Sequence, residues 1–569
     1  MAATRKRMQL SKAVATFVRP AMSMHFAFTH NRPMAFAMEI VRQQREPLAL
    51  ELVGTGFLEY AEVLVAAGHV RKFTGAFVGQ TFPRPRPYRL VQAGLARGEL
   101  EIEWWTNLTM CQRFMAAAAN LDEVPTRSLA GSSLLAPLVE RGTARVGSAR
   151  DGGQEVLISA CRPDLAVVHA LMADDDGNAV VTPPWGEGLS GVWAAKAVVV
   201  LAEKVVSTEE IRAHSQLVRV PAHLVDAVVE APWGAHPYGV SPIGIADGGY
   251  EEDYEFRNDL NRSLDAGMDV AEWMAKWNLA ESHEKFCQVH ENRLGHLALQ
   301  ARTEAGGVAG AANGLEVGSE KATRREAVAV MASRRLAAKV LEEDIDTVLA
   351  GIGLSHLVAW LTQRRLAAAG HNVTLLTETG YYGYSPAAGD PYIFNFRNLF
   401  SNTMQSGFLE ILGQVVPNPS RRCLAVLSTA QVDAQGNLNS TFLPDADLHL
   451  VGSGGANDIA NTAFEVMAIV DGGLSKFTRE APYVTAAGSR VSTIMTSWGA
   501  FARRMPGQPY ELVERLSGLE GPEDQELARL LDLTGWKEVT DSKEAVAAVP
   551  SRQELAMLRQ LDPEKLFLG

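Results

Sequence analysis

Residues 24–43, MHFAFTHNRPMAFAMEIVRQ, are followed at 49–60 by ALELVGTGFLEY, and residues 348–365, VLAGIGLSHLVAWLTQRR, are followed at 373–384 by VTLLTETGYYGY. One offset of 324 residues overlays both pairs and matches Thr55-Gly56 with Thr379-Gly380. It also overlaps two apolar stripes, Met34, Ala37, Met38, Val41 and Leu354, Leu357, Val358, Leu361, laying Met34 and Ala37 on Val358 and Leu361, and their spacings of three and four mark one face of a helix. Pro33 stands at the start of the first helix, where a missing N–H costs nothing. Further on, LAVVHALMADDDGN (165–178) answers LAVLSTAQVDAQGN (424–437) at an offset of 259, each a strand entering a turn whose glycine, Gly177 or Gly436, supplies a positive φ. A third pair follows in the same order, WGEGLSGVWAAKAVVVLAEKV and GSGGANDIANTAFEVMAIVDG. The fall in offset from 324 to 259 places about 65 extra residues in the first half, around 85–150. Strands alternating with helical patterns predict parallel sheets covered by helices, so the chain reads as two related open α/β domains.

Between them, residues 304–327, EAGGVAGAANGLEVGSEKATRREA, are rich in Gly and Ala and have no hydrophobic period, as a flexible linker would. The expected division is 1–303, a linker at 304–327, and 328–569. With 47% hydrophobic residues the chain can bury several cores. A formal net charge of −13 and no long Lys/Arg run argue against a nucleic-acid partner. No stretch has the apolar length of a membrane span. The basic start MAATRKRMQLSKAVATFVRP is broken by Arg19-Pro20 and reads as a frayed start, not a signal peptide. Cys111, Cys161, Cys287 and Cys423 have no framework spacing, which suits a reduced, cytoplasmic, soluble protein.

The halves differ where chemistry is expected. At the 324 offset Glu378 falls opposite Gly54, while Gly351 and Gly353 fall opposite Ala27 and Thr29. Strands of a parallel sheet are buried on both faces, so a glutamate at a strand end is costly unless it has a task. The alternative is a solvated loop residue or a helix cap. VLAGIGLSHLVAWL reads as strand, glycine turn and helix, an arrangement that leaves backbone N–H groups unpaired and aimed into a crevice. Such donors stabilise a developing oxyanion, each worth roughly 3–4 kcal/mol in the transition state. In open α/β sheets the crevice lies at the carboxyl ends of the strands, and a carboxylate beside an oxyanion hole suits covalent acyl transfer.

Taken in order, these motifs resemble those of family I CoA-transferases, most closely the glutaconate CoA-transferase type with its α-like and β-like subunits fused. In the second half the resemblance rests on VLAGIGLSHL, on TETGYYG in place of the family's Glu-Ser-Gly stretch, and on AQVDAQGNLNST, GSGGANDIA and the tail VPSRQELAMLRQLDPEKL. In the first half it rests on RPMAFAMEIVRQ, GAFVGQ, GELEIEWW, PTRSLAGSSLL and PDLAVVHALMADDDGN. The resemblance implies a CoA-transferase/NagB-like fold, acyl-CoA and an acceptor carboxylic acid as substrates, no metal or permanently bound cofactor, and a homo-oligomer. It implies that Glu378 attacks a thioester and then carries CoA as a glutamyl thioester, with backbone N–H groups near Gly351 and Gly353 as oxyanion donors. Gly380, Gly454 and Gly455 would shape the acyl-CoA pocket, and Gln80, within FVGQ, would touch the acyl group. The chain departs from the family where SMHFAFTHNRP puts His25 to Thr29 in place of glycines, and in ETG for ESG. Relatives lacking the glutamate include ring-opening CoA-ester hydrolases and a decarboxylase, so Glu378 favours transfer. An acyl-CoA or C–C bond-cleaving hydrolase, and a non-catalytic CoA-ester sensor, are the alternatives.

Other signals carry less. His283, Cys287 and His290 share a helix face as zinc ligands do, yet an ordinary half-exposed face explains them. GSGGAND lacks the G-x-G-x-x-G spacing of a dinucleotide loop. Trp104 and Trp105 suit core or interface packing better than a binding platform, and ADDDG suits a solvated turn better than a metal loop.

Overall fold

The structure, a computed structural model, describes residues 6–28, 30–148, 154–242, 248–305, 321–387, 396–516, 522–538 and 546–569. In the first half seven strands run parallel: β1 (Ser23–Phe26), β2 (Leu50–Phe57), β3 (Val70–Val78), β4 (Glu101–Trp104), β5 (Leu165–Asp174), β6 (Ala197–Val206) and β7 (Ala227–Glu230). Their spatial order is β7-β6-β5-β1-β2-β3-β4. In the second half β8 (Thr347–Ala350), β9 (Thr374–Leu376), β10 (Cys423–Ser428), β11 (Glu465–Val470) and β12 (Val491–Thr496) are parallel in the order β9-β8-β10-β11-β12. The repeated unit β2-β1-β5-β6-β7 therefore has the strand order of β9-β8-β10-β11-β12. β1 and β8 stand 324 residues apart, as the sequence offset requires.

The repeated turns keep their chemistry as well as their place. Asp174 Oδ1 accepts the N–H groups of Gly177 and Asn178 at 2.9 and 2.8 Å. Asp433 Oδ1 accepts those of Gln435 and Asn437, both at 2.9 Å. Gly177 and Gly436 have φ of +102° and +80°. The Asp of ADDDG thus closes its own turn.

The extra chain of the first half begins directly after β2 and not near residue 85. It builds β3, β4, the helix α1 (Asn107–Ala118) and a three-stranded antiparallel sheet of Glu123–Thr126, Ala144–Ser148 and Gln154–Ser159. β3 occupies the place that the antiparallel pair Tyr381–Tyr382 takes beside β9, so a comparison of offsets alone could not find its start. Trp105 is wholly buried under the guanidinium of Arg113, 3.9 Å from its ring, and Trp104 is nearly so, which makes the pair core packing.

The Gly/Ala-rich stretch is narrower than 304–327. A helix, Glu291–Ala305, enters it, and α2 (Arg324–Glu342) begins inside it. Thr323 and Glu326 form a reciprocal cap at the start of α2, each side chain accepting the other's backbone N–H, at 3.2 and 2.8 Å. Residues 306–320 lie outside the described residues. One hydrophobic core runs through both halves, with Trp105 and Phe114 in the same cluster as Leu349 and Leu412. No helix among the described residues is long and apolar enough to cross a membrane. His283 and His290 meet the carbonyls of Pro232 and Trp277 at 2.8 and 3.2 Å, and among the described residues no three His, Cys, Asp or Glu side chains converge as metal ligands would.

Candidate active site

Glu378 follows β9 by two residues, in a turn that fixes it from both sides. Gly380 N–H donates to Thr377 O at 3.2 Å, Thr377 N–H to Tyr381 O at 2.9 Å, and the Thr377 and Thr379 hydroxyls pair at 2.8 Å. Gly380 has φ +121°, and a β-carbon there would strike the Ser406 carbonyl. Gly380 forms this turn and does not line the pocket. The Glu378 side chain enters a cavity of about 360 Å³ between the halves, lined by residues of both. It is half-buried and its exposed part faces that cavity.

The N–H of Gly455 and the side-chain amide of Asn107 lie beside its carboxylate and favour its ionised form. Gly454 and Gly455 line the cavity beside it, and a β-carbon on Gly455 would collide with Glu378 Oε2. The carboxyl's pKa is pushed up to about 7, chiefly by burial and then by the charge of Asp458, while the two donors hold it down. Near neutral pH the group is thus shared between its acid and its nucleophilic form.

Asn107 comes from the other half and was not among the residues singled out in the sequence. It opens α1, where Thr106 and Thr109 form a capping box, and its backbone N–H donates to Gly454 O at 3.0 Å. The available signal was TNLT after a strand, a helix-start pattern overshadowed by the adjacent tryptophans. Asp458, on α3 (Ala456–Thr462), secures the same junction. Its Oδ1 accepts the hydroxyls of Thr106 and Ser128, both at 2.6 Å, and its Oδ2 accepts Leu108 N–H at 3.0 Å. Burial raises its own pKa to about 6 against those three donors.

The glycine turn divides its duties differently from the expectation. Gly351 spends its N–H on the Val426 carbonyl at 2.9 Å, within the sheet, so it is not an oxyanion donor. Gly353, with φ +95°, precedes α4 (Leu354–Ala368). The N–H groups of Ile352, Gly353 and Leu354 have no partner among the described residues, and all three line the cavity. Gln80 does not line it. Its Oε1 accepts Arg86 Nε, and backbone bonds of 2.8 and 3.2 Å close the loop between the two residues, so Gln80 supports the rim carrying Thr81, Arg84, Pro85 and Pro87.

Of the stretch that replaces the glycines in the first half, Thr29 lies outside the described residues. His25 is buried with Nδ1 3.1 Å from Val53 O, and Phe28 lines the cavity. Gly54, opposite Glu378 in the repeat, faces another carboxyl: a β-carbon there would stand 3.0 Å from Glu187 Oε1. Glu187 Oε1 accepts Thr55 N–H at 2.8 Å, and burial pushes its pKa up to about 8. Aligning β6 with β11 places Glu187 opposite Gly455. The two halves thus deliver one carboxyl each to matching places, from opposite sides.

Residues 7–231 match the family model described as Coenzyme A transferase. The chain is 30% identical over 251 residues to one of the subunits of the 3-oxoadipate CoA-transferase of Pseudomonas knackmussii, covering 43% of this chain and 84% of that one. The chain belongs to the coenzyme A transferase family. Within that family it is 31% identical over 264 residues to the IpdA subunit of a cholesterol ring-cleaving hydrolase of Mycobacterium tuberculosis, covering 44% of this chain and 86% of that one. It is 33% identical over 238 residues to an uncharacterized protein of Archaeoglobus fulgidus, 41% of this chain, and spans about half, 51%, of that relative's length. The crystal structure of an acyl-CoA transferase apoenzyme from Escherichia coli O157:H7 superposes over 99% of both chains with a TM-score of 0.64 and 16% identity, so this enzyme family's fold is shared across the full length.

Proposed function

We propose that the protein transfers CoA from an acyl-CoA to a carboxylic acid through a glutamyl-CoA thioester on Glu378. The observation carrying this reading is a cavity-facing Glu378, flanked by Gly455 and Asn107, in the same cavity as three amides at Ile352–Leu354 that have no partner among the described residues. In its ionised form Glu378 attacks the thioester carbonyl, and the CoA thiolate leaves as an acyl-glutamyl anhydride forms. The thiolate attacks the glutamyl carbonyl, releasing the first acid as its carboxylate. An incoming carboxylate then attacks the glutamyl thioester, and the thiolate it expels takes the new acyl group and frees Glu378. The amides of Ile352, Gly353 and Leu354 are the donors for the tetrahedral oxyanions.

Hydrolysis on the same site is a second reading, favoured by a carboxyl whose pKa of about 7 suits a general base for water. The test is to incubate the protein with a panel of acyl-CoAs, reduce with borohydride and map peptides by mass. Conversion of Glu378 to the alcohol, absent in Glu378→Gln, supports transfer. Turnover without an acceptor acid and without that adduct would give the hydrolase reading instead.

A further inference from the structure

The cavity lining holds two chemically different groups of side chains. Arg84, Arg325 and Lys476 make up one of them. Arg325 faces Asp471 at 2.8 Å, and its pKa is lowered by burial, with the neighbouring Arg84 adding to the shift, so the two guanidinium groups lie close together. None of these cations is among the groups that shift Glu378. Cations in this arrangement suit the phosphates of a CoA ligand.

The other group is aromatic. Phe28, Phe77 and Phe408 form it, and the Phe28 and Phe408 rings stack with centroids 6.0 Å apart. Gly56 and Phe77 are partners across β2 and β3, and a β-carbon on Gly56 would collide with the Phe28 ring, so the bare backbone there seats the phenyl group. The charged groups behind this wall are screened from the cavity. The Arg32 guanidinium is 4.3 Å from the Phe28 ring centroid and 4.8 Å from that of Tyr238, is 2% exposed, and has no hydrogen-bond partner at Nε. Glu187 stands behind Thr55 and is largely protonated at neutral pH.

An acyl group with a second carboxylate would have to shed its water against three phenyl rings, with Arg32 held behind Phe28, and an unpaired buried charge is strongly disfavoured. An apolar ring gains from the same burial and from aromatic contact. We infer that the acyl group this chain accepts is a bulky apolar one, aryl or alicyclic, without a distal carboxylate, and that Phe28 sets this selectivity by screening Arg32. The inference rests on the CoA-thioester reading of the site.

The experiment measures equilibrium binding of CoA, S-(2-phenylethyl)-CoA and S-(4-carboxybutyl)-CoA to the full chain by calorimetry. The thioethers cannot acylate Glu378, so the result is independent of the trapping chemistry. The phenylethyl ligand is expected to bind at least tenfold more tightly than the carboxybutyl one. Phe28→Ala, which opens a path to Arg32, should shrink that ratio several-fold, and Phe28→Leu, which keeps an apolar screen, should retain it. Equal or reversed affinities in the unaltered protein overturn the acyl assignment alone. A ratio unchanged in Phe28→Ala removes Phe28 from its role, and failure of CoA itself to bind overturns the underlying functional reading.

Discussion

A carboxyl in a cavity is held at a cost that can be measured. Glu378 titrates at about 7 in the folded chain, against about 4.3 for an unperturbed glutamate. The folded state therefore binds a proton that the unfolded chain gives up between these values, and this group's stabilising contribution is lost as pH rises from about 4.5 to about 7. Glu378→Gln should raise Tm relative to the unaltered protein at pH 8 and leave it nearly unchanged at pH 4, by thermal melts at the two pH values. Asp458 is the charge that adds to burial in raising Glu378, so Asp458→Asn should move the acid limb of the kcat/KM profile to lower pH. Asn107→Ala removes a donor to the ionised form and should move it to higher pH.

Elements carry the site through their ends. α2 begins with the Thr323–Glu326 cap, and Glu326 also pairs with Arg559 at 2.7 Å on the terminal helix Arg552–Leu561. Thr323→Ala should cost about 1 kcal/mol, seen as a lower Tm with unchanged kcat. At this scale much was legible in the sequence. The offset of 324 located β1, β8, β2 and β9, because apolar strands and their following helices leave a periodic record. The positive φ at Gly177, Gly353 and Gly436 was equally readable, since few residues other than glycine adopt it. Asn107 was not legible, because its role depends on where α1 lands against the other half. The fate of Gly351 was hidden for a similar reason: its N–H could serve either a sheet or a crevice until β10 was in place. Gln80 failed as a pocket residue because a loop closed by its bonds to Arg86 turns it under the rim.

The whole molecule places Glu378 and the residues around it at the seam between the halves. Asn107, Thr106 and Ser128 come from one half, and Glu378, Gly455 and Asp458 from the other, and the largest hydrophobic cluster has members in both halves. We propose the halves as two folding domains. Expressed as separate chains, 1–305 and 321–569, they should co-purify and restore borohydride trapping at Glu378, whereas neither chain alone should show it. Asp458→Ala in the second chain should weaken their association, read by sedimentation, because three donors from the first would lose their acceptor.

The opposed pairs Glu378/Gly455 and Glu187/Gly54 bear on how such a molecule can diverge. At each crossing of strand end and facing loop a carboxyl lies against bare backbone, and a β-carbon on the glycine would press on that carboxyl, hard at Gly455 and lightly at Gly54. After duplication, one copy came to hold its acid on the strand end and the other on the facing loop. Moving from one state to the other by single substitutions passes through either an empty crossing or a crowded one. The first abandons the group and the second sets two acids against each other, so neither route exchanges the two arrangements in one step.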